Sequence, residues 1–249
     1  MLGCAFNKPD DDGSLRLVGR TAAVATVSAA LRLGVRSIDT APLYGAGLSE
    51  EYIGDALAEA GLGTTSGLRV WSKSGVVIRR PEQLSISQPP PPVRWAGERA
   101  MVRDYSKAMA RRCLTESLLR LRLPALTGLR IHGPNRTDRV TVEGKVREEL
   151  TVDGVEQSLS SDGMLRGLAE LRESGDLEEA SLGLQVHDAQ AVEAMLPLFR
   201  RAEPGAVQSA LLAGGFNLLN QEALPMLLEA ERRGIEIHNA VRLARAALP

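Results

Sequence analysis

The chain has 249 residues, 44% of them hydrophobic and 24% charged, the make-up of an ordinary folded protein with material for a full core. A net charge of −1, with no long basic run, gives no electrostatic case for nucleic acid or an anionic membrane. Cys4 and Cys113 lie far apart and match no metal-ligand spacing, which predicts free thiols, no metal site and a reducing cytoplasmic compartment.

The opening "MLGCAFNKPDDDG" turns acidic too early for a signal peptide, and no apolar run is long enough to span a membrane. Within it "LGCAF" is a candidate first strand. Arg20 to Leu33 reads as a helix, with Val24, Val27 and Leu31 at helical spacing. "VRSID" is strand two and Ser49 to Ala60 its helix; "LRVWSK" is strand three. Ser74 to Arg103 reads as a long irregular insertion, because the run Pro89 to Pro92 suits neither a sheet nor a helix interior. Asp104 to Leu121 is a long helix and "LTGLRIH" strand four. A second irregular stretch, Gly133 to Ser160, leads to a helix from Asp162 to Ser174. "EASLGLQV", "AVQSALLA" and "GIEIHNA" are strands five to seven, separated by helices Ala189 to Arg201 and Glu222 to Arg233. The alternation predicts βα units around a parallel sheet over residues 1–249 as one α/β domain. Seven strands suit an open doubly wound sheet, whereas a closed (β/α)₈ barrel needs eight.

Three strands end on residues that carry chemistry: Asp39, Lys73 and His132, with Tyr44 in the Pro/Gly-punctuated loop after the first. Singly, each has a plain role: Asp39 and Thr40 cap a turn, Tyr44 packs, Lys73 is solvated, His132 is satisfied in its loop. Together on one rim they suit carbonyl reduction. A tyrosine hydroxyl, pKa about 10 when free, delivers a proton well only when that value is lowered, and an adjacent ammonium lowers it. The ammonium needs a carboxylate to hold it, and a neutral histidine orients the carbonyl.

"SIDTAPLYGAGLSEEYIGDAL" closely resembles the aldo-keto reductase signature, "VWSKSG" that family's lysine motif and "LRIHGPN" its histidine motif. "RDYSKAMARRCLTESLLRLRL" is similar to a branch that contains D-threo-aldose (L-fucose), L-galactose and pyridoxal dehydrogenases. The resemblance runs from about Leu17 to Leu243. It implies a (β/α)₈ TIM barrel that binds NADP or NAD across its carboxyl-end rim, and a sugar or small carbonyl substrate. It also implies Gln185 on the nicotinamide carboxamide and Phe216, in "GGFNLL", stacked on the ring. The lack of a G-x-G-x-x-G fits such a cofactor site. Three departures stand out: His132 is followed by Gly133 where the family often has Asp, Arg122 stands at a usual helix-end Gly, and no eighth strand follows "GIEIHNA". The expectation is therefore an open barrel lacking its eighth βα unit, with weak cofactor binding and self-association through its edges. The alternative is a binding or regulatory relative without turnover.

Overall fold

The computed structural model describes residues 1–9, 15–62, 67–79, 100–134, 138–142, 145–149 and 153–240. In chain order it begins with β1 (Leu2–Gly3), a hairpin of β2 (Asn7–Pro9) and β3 (Leu15–Leu17), α1 (Arg20–Arg32), β4 (Ser37–Asp39) and α2 (Leu48–Glu59). There follow β5 (Arg69–Ser74), β6 (Val76–Arg79), β7 (Ala100–Arg103), α3 (Lys107–Leu121) and β8 (Gly128–His132). A second hairpin, β9 (Asp138–Val142) and β10 (Lys145–Glu149), precedes α4 (Gly154–Leu159) and α5 (Met164–Glu173). The chain closes its described part with β11 (Glu179–Gln185), α6 (Ala189–Arg200), β12 (Ser209–Ala213), α7 (Leu224–Arg233) and β13 (Glu236–Ala240).

Seven of these strands form one sheet in the order β1-β4-β5-β8-β11-β12-β13, every pairing parallel. The sheet curls on itself. Trp71 of β5 meets His238 of β13, four strands away, with ring centroids 5.1 Å apart. It is a nearly closed α/β barrel whose one unsealed seam lies between β1 and β13, and no eighth barrel strand is present among the described residues.

Alternation along each strand sorts side chains between two environments. Ile38, Val70, Leu129, Ile131, Leu182, Leu184, Ala210 and Leu212 are buried in the hydrophobic core, with Val27 of α1, Ile53 of α2, Leu114 of α3 and Leu168 of α5. The intervening residues face the barrel's interior, and several are polar: Asp39, Lys73, Arg130, Ser181 and Ser209 are all buried. Helices α2 and α3 come unusually close. A Cβ on Gly54 would stand 2.7 Å from the Arg120 carbonyl oxygen, so a side chain there would push the two helices apart.

The two stretches read as irregular hold regular structure at their bases. β6 and β7 pair antiparallel from Val76↔Arg103 to Arg79↔Ala100, which suits the β-branched run Val76-Val77-Ile78. β9 and β10 pair antiparallel from Val142↔Lys145 to Asp138↔Glu149. The run Pro89 to Pro92 and the trailing "VRLARAALP" lie outside the described residues. The Arg122 departure also has a structural answer. Arg122 caps α3 in the left-handed region, φ 54, a conformation glycine adopts with less strain. Its guanidinium is 2.7 Å from Asp55 Oδ1.

Candidate active site

The site begins where β4 ends. Asp39 faces the interior, and the chain then turns through Ala41 and Pro42 to Tyr44, whose N–H donates to the Ala41 carbonyl at 3.1 Å. Gly45, Ala46 and Gly47 all have positive φ, so the loop doubles back sharply before α2. Ser49 stitches this turn down: its hydroxyl is 2.8 Å from Thr40 Oγ1 and donates to the Cys4 carbonyl. On β5, Ser72 points outward and donates to Glu50 at 2.6 Å, and Arg120 Nε meets the same carboxylate at 2.6 Å. That anchoring turns its neighbour Lys73 inward.

Lys73 forms a buried ion pair with Asp39 Oδ2 and donates to the Thr40 carbonyl at 2.8 Å. Its Nζ lies 4.9 Å from the centre of the Tyr44 ring. The Tyr44 and His132 rings stand edge to face with centroids 5.8 Å apart. Asp39, Lys73, Tyr44 and His132 are therefore brought to one rim. Burial alone would pull the Lys73 ammonium down; Asp39 and Tyr44 outweigh it and hold it above the ordinary lysine value, against a smaller opposing push from Arg130. Lys73 stays charged.

Tyr105, in the "RDYS" stretch, supports the fourth member. Its hydroxyl donates to the His132 carbonyl at 2.8 Å, with the Gly133 carbonyl at 3.3 Å. Gly133 takes φ 45, and its N–H reaches the Gly183 carbonyl at 2.9 Å. The His132-Gly133 departure thus forms part of a bonded turn. Burial pushes the Cys4 and Cys113 thiols up to about 12, so neither is a nucleophile at neutral pH.

Gln185 stands on the same inward face of β11 as Ser181 and Gly183 and is half-buried at its carboxyl end. Its register partner on β12 is Ala213, and Phe216 follows three residues later, half-buried against the core. The Phe216 carbonyl accepts from Asn239 Nδ2 at 2.8 Å. Gly214 has no room for a side chain: a Cβ would lie 2.1 Å from His187 Nδ1. An amide and an aromatic side chain therefore end adjacent strands of the rim that carries the tetrad. A phenol, a buried ammonium, an imidazole and an amide thus stand on one rim with an aromatic ring nearby, side-chain types that suit a nicotinamide.

The Aldo/keto reductase family profile matches residues 12–249. The chain belongs to the aldo/keto reductase family. Pyridoxal 4-dehydrogenase of Microbacterium luteolum is 28% identical to it over 232 residues, 88% of this chain and 60% of that protein. Glycerol dehydrogenase from Gluconobacter oxydans superposes with TM-score 0.59 at 22% identity, over 96% of this chain and 57% of that one. An aldo-keto reductase from Klebsiella pneumoniae in complex with NADPH gives TM-score 0.52 at 18% identity, over 88% of this chain and 56% of that one. The chain thus spans about 60% of the curated relative's length. Among the described residues no group of His, Cys, Asp and Glu could hold a metal ion, and no helix is long and apolar enough to cross a membrane.

One residue of this aldo/keto reductase interior went unmarked in the sequence. Arg130, on β8, has a fully buried side chain and reaches Asp39 Oδ1 at 2.9 Å. Its signal was an arginine two places before His132, on the same face of a strand otherwise apolar. Deeper still, Glu179 accepts from Trp71 Nε1 at 3.0 Å, Ser209 Oγ at 2.8 Å and Arg69 at 2.6 Å. Burial raises this carboxyl, but those donors outweigh it and hold it below its ordinary 4.5. Glu179 then binds its proton more readily unfolded than folded. Its contribution to stability is whole above pH 4.5 and drains away as pH falls through the lowered value. Urea melts across acid pH will show a shallower loss of stability for Glu179→Gln than for the natural chain; equal slopes would refute this.

Proposed function

We propose that the chain is an NAD(P)-dependent oxidoreductase that moves hydride between a nicotinamide and a sugar or small aldehyde or ketone. The observation that carries this reading is the meeting of Tyr44, Lys73, Asp39 and His132 on one rim. NAD(P), when bound, supplies or accepts the hydride. In reduction the carbonyl carbon gains that hydride and its oxygen takes the proton from the Tyr44 hydroxyl; oxidation reverses both. Lys73 sets its positive charge beside the tyrosine, and Asp39 holds Lys73. His132 orients the carbonyl oxygen from the opposite edge. Gln185 and Phe216 hold the nicotinamide, by hydrogen bonding and by stacking.

The name of one relative supports the substrate class, since pyridoxal is a small aldehyde. Free, buried Cys4 and Cys113 support a reducing compartment such as the cytoplasm. The edges of β1 and β13, unpaired among the described residues, support association between copies there.

The test is the purified chain with NADH and NADPH, followed by its melting temperature and by nicotinamide absorbance against aldoses and pyridoxal-like aldehydes. A raised melting temperature and an absorbance change with at least one substrate are expected. Binding without turnover would favour a regulatory role, and neither would refute the reading.

A further inference from the structure

We propose that Arg130 is a positioning residue that pins Asp39 from the side opposite Lys73 and ties it, through His238, to the last barrel strand. The proposal deepens the reading above and rests on it. Asp39 offers two oxygens: Oδ2 pairs with Lys73, and Oδ1 accepts from Arg130 Nε at 2.9 Å. Nη1 of the same guanidinium donates to Ser181 Oγ at 2.6 Å, and Nη2 meets His238 Nδ1 at 2.6 Å. Its plane lies over Trp71, 5.0 Å from the ring centre. One rigid fork therefore joins β4, β5, β11 and β13. Gly183 leaves the space: a Cβ there would come within 3.3 Å of both Arg130 Cβ and Lys73 Cε.

Charge balance does not require this residue. Without Arg130, Asp39 and Lys73 remain a matched buried pair. With it, two buried cations share one carboxylate, an arrangement whose desolvation is costly. Glu179 is occupied by Arg69, Trp71 and Ser209, and Glu236 reaches the guanidinium only through His238, whose Nε2 is 3.0 Å from it. These bonds place the imidazole proton on Nε2 and leave Nδ1 as the acceptor. What Arg130 adds is a fixed orientation for the carboxylate that holds Lys73.

Arg130→Gln keeps amide donors and removes the charge; Arg130→Lys keeps the charge and removes the fork. For Arg130→Gln we expect kcat to fall about 10- to 100-fold with KM for the carbonyl unchanged. Arg130→Lys should recover part of kcat. A folded Arg130→Gln with natural kcat overturns the proposal, as does a natural kcat in Arg130→Lys should the glutamine variant not fold.

A second readout needs no turnover. Burial first, then the Arg130 charge, holds His238 below its ordinary 6.5. NMR titration should find that value raised in Arg130→Gln and not in Arg130→Lys. A natural chain inert toward carbonyls would sink the oxidoreductase reading. The bridge would stand if His238 shifts and fall if it does not.

Discussion

Tyr44→Phe will lower turnover by about 10²–10⁴-fold while leaving the fold and cofactor binding in place. The ring is what the structure holds: Lys73 Nζ sits 4.9 Å from its centre and His132 stands edge-on at 5.8 Å, contacts that a phenyl ring preserves. The hydroxyl is what the proposed chemistry uses. Removing it takes away one proton path and nothing from the positive-φ turn at Gly45, Ala46 and Gly47, which is backbone geometry. The loss should therefore fall on kcat, with the thermal shift caused by NADPH unchanged. Equal turnover by tyrosine and phenylalanine forms would remove Tyr44 from the mechanism.

How much of this was legible in the sequence differs by element. The strand-loop-helix around Tyr44 was, because an apolar run, an acid, a Pro/Gly turn and an amphipathic segment follow one another within a short span. Lys73 and His132 were legible because each ends a strand. The hairpin β6–β7 was hidden by the proline run between its arms, and β9–β10 by its charged residues. Arg130 was hidden for a deeper reason. Strands of a barrel are buried on both faces, so hydrophobic periodicity does not say which residues look inward. Only the partners across the interior, Asp39 and His238, give this arginine its meaning. Tyr105 was read as part of a helix start; that its hydroxyl holds the His132 carbonyl depends on two segments meeting in space.

Removing the charge of Asp39 will cost more stability than any other single change in this interior. Its carboxylate is the shared partner of Lys73 and Arg130, and all three side chains are nearly or fully buried. Asp39→Asn keeps shape and one acceptor oxygen, so neither cation keeps an anionic partner there and only one keeps an oxygen of residue 39, while the new NH₂ faces the other. Removing one partner of a buried pair costs about 3–5 kcal/mol, a large part of the roughly 5–15 kcal/mol that holds a domain together. Lys73 can shed its proton to soften the loss; Arg130 cannot. The variant should therefore melt far below the natural chain at neutral pH and recover somewhat as the pH rises and Lys73 neutralises. The source of the loss can be separated from packing. Asp39→Asn combined with Lys73→Met and Arg130→Met removes both stranded cations and should regain most of the lost stability with no activity. An Asp39→Asn chain that melts within about 4 °C of the natural one would mean that the carboxylate does not hold this interior together.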